Sequence, residues 1–335
     1  MDVRLVLVIL LGILVGVLGV VGYASWQRPD IVEVRKELPF LKYTIGNLGK
    51  RVYDSEIFLD EAQPSPKATA GVAGFTVYKF HFSSDGRRVN GLAHLPNSCN
   101  KCPVISTDKQ CISRKCPVIA QFRGYQDVEK YKTGDGTRRT AQKFAEAGFI
   151  SLAPDFLGYG GSASPSANVW EARFETYTTA LNLLAAIERW ENTENIGIWG
   201  HSNGGQVALT VLEISGKEYP TVLWAPVTAP FPYSVLYYTD DILDHGKLLR
   251  KELAQFEKDY DVEQYSLQNY LDLITAPVLL QQGTADDQVP VRWSRGLAGK
   301  MKNVEYVEYP GADHNLSLGW TEAVNRAIEF YRKSW

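Results

Sequence analysis

Cysteine, methionine and histidine are scarce in this sequence. Its 335 residues include four cysteines, two methionines and five histidines. The cysteines, Cys99, Cys102, Cys111 and Cys116, all lie in one polar stretch, and none has a candidate base near it in the sequence. We therefore expect no catalytic thiol. The few histidines leave little choice of a general base, because histidine is the side chain that most often takes that role.

The chain also lacks an excess of either charge. Its formal net charge is −3, from 35 basic and 38 acidic residues that are mixed along the sequence. This pattern provides no basic face for a nucleic acid, so we expect no nucleic-acid partner. Hydrophobic residues make up 45% and aromatic residues 12% of the chain, which is enough to bury the core of one large α/β domain or two small ones.

A run without charged side chains lies near the N-terminus. It extends from Leu5 to Trp26 and is long enough to cross a hydrocarbon layer of ~30 Å as a helix. We expect a transmembrane anchor, with the following domain outside the cytoplasm. The alternative is a cleaved signal peptide and a secreted protein, because Gly22-Tyr23-Ala24 resembles a cleavage site. The run exceeds the ~7–15 apolar residues of a signal peptide, which favours the anchor.

The cysteine cluster allows two interpretations. Outside the cytoplasm, four clustered cysteines predict two disulfides in a surface insert, with three possible pairings. The alternative is a structural zinc site, because four thiolates can provide a tetrahedral ligand set. The apolar N-terminal run favours the disulfides.

Residues 27–73 mix charges with proline and glycine and are interpreted as a juxtamembrane linker.

The alternating residues of 75–82 and 89–95 flank Asp85-Gly86, which predicts an antiparallel hairpin. Beyond the cysteine insert, short apolar runs alternate with helical periods, which predicts βαβ units and a mostly parallel sheet. Residues 226–270 break that alternation and are interpreted as a lid between two strands. The strand candidates are residues 117–122, 150–153, 196–199, 222–224, 278–280 and 304–309.

The strongest chemical motif is a Gly-x-Ser-x-Gly string between a predicted strand and a predicted helix. Gly200 and Gly204 permit a tight turn there, and Ser202 between them would present its hydroxyl above the sheet. The sequence therefore predicts Ser202 as a nucleophile on a nucleophile elbow.

A serine nucleophile needs a base and a carboxylate that orients the base. His314 is the best-placed histidine, because it follows a late strand and precedes the last helix. The acid should follow the preceding strand, where Asp286 and Asp287 are adjacent. We choose Asp286 because it has the Asp-x-x-Val-Pro spacing, and the order Ser, Asp, His is that of the α/β-hydrolases.

Two backbone N–H groups would bind the oxyanion. One belongs to Asn203, the residue after the nucleophile, and the other to the loop that follows an earlier strand. In that loop we assign the donor to Tyr125, with Gly124 as the alternative. Asp155 follows another strand near the same edge, and we expect it to have a structural hydrogen-bonding role.

Four segments together resemble the catalytic domain of prolyl oligopeptidase-like serine peptidases and the related esterases of the α/β-hydrolase superfamily. They are residues 154–162, 200–205, 276–290 and 311–315, and the resemblance extends over residues 74–335. It implies an α/β-hydrolase fold, with a mostly parallel central sheet, antiparallel N-terminal strands, helices on both faces and a small helical lid. It also implies Ser202 as nucleophile, Asp286 as acid and His314 as base.

The sequence departs from that family in two places. Many of the family's peptidases carry a β-propeller, for which the residues before 74 are too few, so size selection is expected from the lid or not at all. The segment Arg123-Gly124-Tyr125 is closer to the single-glycine form of acetyl esterases than to a Gly-Gly loop. An esterase is therefore the alternative to a peptidase.

These observations predict a serine hydrolase that cleaves ester or amide bonds through an acyl-enzyme. The expected division is an anchor or signal segment in 1–26, a linker in 27–73 and a catalytic domain in 74–335. The cysteine insert occupies 97–116 and the lid 226–270. The expected substrate is a small ester or short peptide, and no metal or organic cofactor is required. A non-catalytic binding protein on the same scaffold is the least favoured alternative, because all three triad members are present.

Overall fold

The computed structural model describes residues 14, 16–20, 23, 36–63, 74–99, 115–241 and 243–335. The chain divides into two compact units, Met1–Pro39 and Phe40–Trp335. In the described part of the chain, no helix is long and apolar enough to cross a membrane. Much of the run 5–26 lies outside the described residues, so the anchor and its signal-peptide alternative stay predictions. The division at residues 26 and 73 also stays a prediction.

Nine strands in the described part of the larger unit form one sheet in the order β1-β2-β3-β5-β4-β6-β7-β8-β9. The strands are β1 Phe58–Gln63, β2 Phe75–Ser84, β3 Arg87–Pro96, β4 Cys116–Phe122, β5 Ile150–Pro154, β6 Thr193–His201, β7 Thr221–Trp224, β8 Val278–Gly283 and β9 Val304–Tyr309. Strands β1, β2 and β3 pair antiparallel, as do β3 and β5. From β5 to β9 all pairs are parallel. The predicted fold class is confirmed.

The hairpin of β2 and β3 forms where the alternating pattern predicts it. Ser84 pairs with Arg87 across the turn at Asp85 and Gly86, whose φ angles are 53° and 77°. Two positive φ angles match the right-handed twist of the flanking strands, and aspartate and glycine tolerate them.

The central strands are buried on both faces, which explains why most of their residues are apolar. All residues of β5, β7 and β8 are buried, and so are six of the seven in β4. Parallel strands are connected by helices that cover both faces of a sheet, so neither face needs polar side chains. The parallel pairing places the carboxyl ends of six strands, β4 to β9, at one edge of the sheet.

Eight α-helices are described in the larger unit. They are α1 Ile45–Leu48, α2 Arg138–Glu146, α3 Val169–Arg189, α4 Asn203–Ser215, α5 Tyr233–Leu236, α6 Lys247–Phe256, α7 Val291–Ala298 and α8 Trp320–Ser334. Short 3₁₀ turns occupy Pro39–Tyr43, Thr239–Asp241, Val262–Tyr265, Leu267–Asn269, Leu271–Leu273 and Ser317–Gly319. Helix α3 begins after Asn168, whose side chain accepts hydrogen bonds from the N–H groups of Trp170 and Glu171.

Helices α2 and α8 cover one face of the sheet. Phe144 of α2 packs edge to face on Tyr331 of α8 at 5.9 Å, and the Tyr331 hydroxyl donates to the carbonyl oxygen of Ile198 in β6 at 2.6 Å. Helices α3 and α4 pack against each other and against other strands of the sheet. The last helix is thereby tied to the strand that leads to Ser202.

The insertion between β7 and β8 is helical, as the sequence predicts. It contains α5, α6 and four of the 3₁₀ turns. Three of its rings, those of Phe231, Phe256 and Tyr265, pack on Phe174 of α3 with centroids 4.9–6.0 Å apart. This aromatic cluster attaches the insertion to the sheet domain.

Cys99 and Cys116 form a disulfide with Cα atoms 6.1 Å apart. The disulfide prediction is confirmed for these two residues, while Cys102 and Cys111 lie outside the described residues. The alternative of a zinc site with four thiolates is wrong, because two of the four thiols are bonded to each other. The bridge connects the segment after β3 to the first residue of β4.

Replacing both bridging cysteines, as Cys99→Ser with Cys116→Ser, should lower the free energy of unfolding by about 3 kcal/mol, because the bridge closes a loop with a sequence separation of 17. Thermal unfolding should show a lower midpoint. A reducing agent should lower the thermal unfolding midpoint of the wild type to that of the double variant. Equal midpoints for wild type and variant under oxidising conditions would contradict a stabilising role.

Candidate active site

Ser202 occupies a sharp turn between β6 and α4. Its φ of 56° lies in the left-handed region, where a non-glycine residue is strained. Two backbone hydrogen bonds hold this conformation: the N–H of Ser202 donates to the carbonyl oxygen of Trp224 at 2.9 Å, and the N–H of Val227 donates to that of Ser202 at 3.0 Å. The structure therefore places Ser202 on a strained strand-turn-helix junction.

Glycine is required on both sides of this turn. A Cβ atom at Gly200 would lie 2.6 Å from the carbonyl oxygen of Gly204, and a Cβ atom at Gly204 would overlap the carbonyl oxygen of Phe122. The backbone of β4 thus passes directly against the first turn of α4. A side chain at either position would push these segments apart and displace Ser202.

His314 and Asp286 form a buried pair. His314 Nδ1 and Asp286 Oδ2 are 2.9 Å apart, and the two side chains are 6% and 0% exposed. A carboxylate can only accept, so Nδ1 of His314 carries the hydrogen and Nε2 of the neutral ring is free to accept a proton. That tautomer is the one a general base requires.

The Asp286 carboxylate accepts three further hydrogen bonds. The N–H groups of Gln288 and Val289 donate to Oδ1 at 2.9 and 2.8 Å, and Gln282 Nε2 donates to Oδ2 at 2.8 Å. Burial raises the pKa of Asp286, but the hydrogen bonds from His314, Val289 and Gln288 outweigh it and hold the pKa below its usual range. The carboxylate therefore stays charged beside the imidazole. The neighbouring Asp287 is exposed.

His201 also contacts the predicted base, and no sequence pattern assigns it a role. Its Nε2 lies 3.0 Å from the carbonyl oxygen of His314, and the two rings are 4.7 Å apart. Desolvation, followed by the proximity of His314, lowers the pKa of His201 to about 4. The ring is therefore neutral at pH 7 and donates from Nε2, since a carbonyl can only accept. Its position next to Ser202 in the sequence is the one signal that could have found it.

The predicted oxyanion loop lies against Ser202, the predicted nucleophile. A Cβ atom at Gly124 would lie 2.9 Å from Cβ and 3.5 Å from Oγ of Ser202, so only glycine allows this approach. Asn203 is the first residue of α4, where backbone N–H groups have no partner within the helix. Tyr125 is 78% exposed, and its backbone N–H remains the predicted second donor.

Asp155 has the structural contacts that the sequence suggests. Its carboxylate accepts from the Tyr131 hydroxyl at 2.5 Å, from Thr133 Oγ1 at 2.9 Å and from the N–H of Gly134 at 3.3 Å. Burial raises the pKa of Asp155 even though these hydrogen bonds act in the opposite direction. The residue fixes the segment that follows the oxyanion loop.

The helical insertion reaches the loop that carries Asp286. The Tyr238 hydroxyl donates to the carbonyl oxygen of Gln288 at 3.3 Å, and Tyr237 packs on Trp293 of α7 at 4.9 Å. Burial, followed by the charges of Tyr237 and Asp286, raises the pKa of Tyr238. Part of the predicted lid is therefore in contact with this side of the site.

The arrangement has the parts of an acyl-transfer site: a serine on a strained turn, a buried imidazole with its orienting carboxylate, and backbone donors beside the serine. Within the described ranges, no group of three histidine, cysteine, aspartate or glutamate side chains is placed to hold a metal ion.

Residues 136–335 match the sequence model of the prolyl oligopeptidase family. No curated protein matches the chain at significant sequence similarity.

Many solved structures share the fold. An acetyl xylan esterase from Paenibacillus sp. R4 matches at a TM-score of 0.60 and 15% identity, over 89% of this chain and 96% of that one. Acetyl xylan esterase 1 from Thermoanaerobacterium sp. JW/SL YS485 matches at a TM-score of 0.59 and 17% identity, over 87% of this chain and 93% of that one. A puromycin-hydrolysing peptidase of Mycobacterium tuberculosis matches at a TM-score of 0.52 and 17% identity, over 73% of this chain and 36% of that one. Identities this low show a shared fold.

Removing the hydrogen bond from His201 should slow the labelling of Ser202. The carbonyl of His314 would lose its donor, and the predicted base would be held less firmly in position. We expect His201→Leu to lower the second-order rate constant of fluorophosphonate labelling on the order of tenfold. His201→Gln, whose amide can still donate, should retain most of the rate. Labelling of the leucine variant at the wild-type rate would show that this contact does not position the base.

Asp286→Asn should reduce the labelling rate by about 10⁴-fold, because an amide can donate to Nδ1 and stabilise the wrong tautomer of His314. Asp287→Asn is the matched control, one residue along the same loop and exposed, and should label at nearly the wild-type rate. A larger loss in the Asp287 variant would reverse the assignment of the acid.

Proposed function

The chain belongs to the prolyl oligopeptidase family and is a serine hydrolase, and we propose that it cleaves ester or amide bonds by acyl transfer through Ser202, His314 and Asp286. The observation that carries this proposal is the His314–Asp286 hydrogen bond of 2.9 Å between side chains that are 6% and 0% exposed. A surface histidine with a structural role would not need a fully buried carboxylate on Nδ1.

The proposed reaction follows from the groups around Ser202. Nε2 of His314 takes the hydroxyl proton while Oγ attacks the carbonyl carbon of the substrate. The N–H groups of Asn203 and Tyr125 bind the resulting oxyanion. When the tetrahedral intermediate collapses, the imidazolium returns the proton to the leaving group. Water, activated by His314 in the same way, then releases the acid from the acyl-enzyme.

Asp286 contributes to this reaction by stabilising the imidazolium. Its carboxylate is negatively charged at neutral pH, because hydrogen bonds hold its pKa below the usual range. A buried charge next to a ring that becomes positive lowers the energy of the transition state without reorganisation of solvent. The rate should therefore depend on this charge as well as on the geometry.

Two substrate classes remain as candidates, small carboxylic esters and short peptides. The family match favours a peptidase. The single glycine of Arg123-Gly124-Tyr125 and the extensive fold match to two acetyl xylan esterases favour an esterase. The deciding difference lies in the leaving group, because an amide nitrogen must be protonated as it leaves and an activated phenolate need not be.

We also propose that residues 5–26 attach the protein to a membrane, with the hydrolase domain outside the cytoplasm. The charge-free sequence of this segment supports the proposal. The Cys99–Cys116 disulfide supports it independently, because disulfides persist in oxidising compartments.

A fluorophosphonate probe should label the full-length protein in mild detergent, because an activated serine attacks phosphorus as it attacks a carbonyl. Ser202→Ala and His314→Ala should abolish labelling, whereas Ser317→Ala, at a serine three residues after His314, should not. Unlabelled wild type with a normal thermal unfolding transition would contradict catalysis and favour a binding protein on this scaffold.

Labelled protein is then tested on p-nitrophenyl acyl esters and on dipeptide anilides, with Ser202→Ala as the blank. Turnover of esters alone would identify an esterase, and turnover of both classes would identify a peptidase. Loss of the signal in Ser202→Ala is required for either conclusion.

A further inference from the structure

Arg123, in the loop after β4, is a buried cation whose described hydrogen bonds end on main-chain carbonyl groups. The residue is 6% exposed. Its Nη1 donates to the carbonyl oxygen of Gly124 at 2.9 Å, and its Nη2 donates to that of Asp155 at 2.8 Å. A buried charge is costly unless its surroundings compensate it, so packing alone does not account for an arginine here.

The surroundings offset part of the cost of burying this guanidinium. It lies against three aromatic rings, with its central carbon 4.0 Å from the ring centroid of Tyr159, 4.6 Å from that of Tyr131 and 5.7 Å from that of Phe156. Cation–π attraction replaces part of the lost hydration. The charge also acts on the buried Asp155 carboxylate: burial raises the pKa of Asp155, and Arg123 is among the groups that lower it.

The carbonyl that receives Nη1 belongs to the peptide group assigned to the oxyanion. The carbonyl of Gly124 and the N–H of Tyr125 are part of one planar trans peptide, in which C=O and N–H point in opposite directions. Gly124 also lies against Ser202, since a Cβ atom at Gly124 would be 2.9 Å from Cβ of Ser202. Whatever fixes the Gly124 carbonyl therefore fixes the direction of the Tyr125 N–H beside the nucleophile.

We propose that Arg123 is a positioning residue for the oxyanion site, which it serves by orienting and polarising the Gly124–Tyr125 peptide from the side opposite the substrate. This inference rests on the proposed acyl-transfer function. A charge-assisted hydrogen bond to the carbonyl oxygen draws electron density towards it and makes the N–H of the same peptide a stronger donor. The effect is available before the substrate binds, so no reorganisation is needed when the oxyanion forms.

The fork of the guanidinium suits this role. Two carbonyls from the ends of different strands, β4 and β5, are held at the same time by two nitrogens of one planar group. A lysine ammonium offers a point charge on a flexible stem and would not reproduce both bonds at these positions. The peptide of Gly124 is thereby fixed relative to the neighbouring strand.

The test measures hydrolysis of p-nitrophenyl acetate and inhibition by a trifluoromethyl ketone, which forms a tetrahedral oxyanion on serine. Arg123→Ala should lower kcat by about 100-fold and raise the Ki of the ketone in parallel, because both depend on the oxyanion donor. KM should change by less than about threefold, since binding of the neutral carbonyl needs little from that donor. The acid limb of the profile of kcat against pH should stay at the same pH as in the wild type.

Arg138→Ala is the matched control. Arg138 Nη2 also donates to a main-chain carbonyl, that of Thr133 at 2.6 Å, but Arg138 is exposed and Thr133 lies outside the predicted oxyanion loop. Its removal should leave kcat and Ki close to the wild-type values. A similar loss in both variants would assign the effect of Arg123 to general destabilisation.

Chemical rescue separates charge from shape. Methylguanidinium added to Arg123→Ala should restore kcat by at least about tenfold, whereas neutral N-methylurea, which has similar donors, should restore it by less than about threefold. Equal rescue by both compounds would overturn the role of charge, and rescue by neither in a folded variant would overturn the proposal.

Arg123→Lys provides a second route if the alanine variant does not fold. It keeps the charge and should fold, with kcat lowered by about tenfold. A folded lysine variant with the wild-type kcat would overturn the proposal. An inactive, unlabelled wild type would instead mean that the proposed function itself had failed.

Discussion

The site depends on how closely backbone segments can approach one another around Ser202. Three glycines make that approach possible: Gly200 and Gly204 in the turn and Gly124 in the facing loop. At each position an added Cβ atom would meet a neighbouring backbone or Ser202 itself. The strained φ of Ser202 is therefore maintained by the close packing of the backbone around it.

Two buried carboxylates follow parallel strands at the same edge of the sheet and differ in their environments. Asp286 follows β8, and the hydrogen bonds from its own loop and from His314 hold its pKa below the usual range. Asp155 follows β5, and burial raises its pKa. The first is suited to stabilise a positive imidazolium, whereas the second is occupied by hydroxyl and backbone donors that hold a loop.

Much of this architecture could be predicted from the sequence because it is encoded locally. The hairpin at Asp85-Gly86, the elbow around Ser202 and the order Ser, Asp, His are short patterns with a direct physical meaning. Strand β1 is different, since its six residues alternate weakly at the sheet edge and a register shift interrupts its pairing with β2. Its residues therefore fall within the predicted linker, 27–73.

The contacts of His201 and Arg123 could not be predicted, because each side chain binds a main-chain carbonyl far along the chain. The partner of His201 is 113 residues away, and one of the partners of Arg123 is 32 residues away. Every residue has a main-chain carbonyl, so the amino-acid sequence does not show which carbonyl a distant side chain will bind.

The bridge between Cys99 and Cys116 has a consequence for how this domain can be altered. It joins two points 6.1 Å apart, directly where β4 begins. The length of the segment between them is therefore uncoupled from the register of the sheet, because neither strand end has to move when residues are added or removed. A reporter peptide or an affinity tag could be placed inside this ring while the carboxyl edge, with its serine, keeps its geometry.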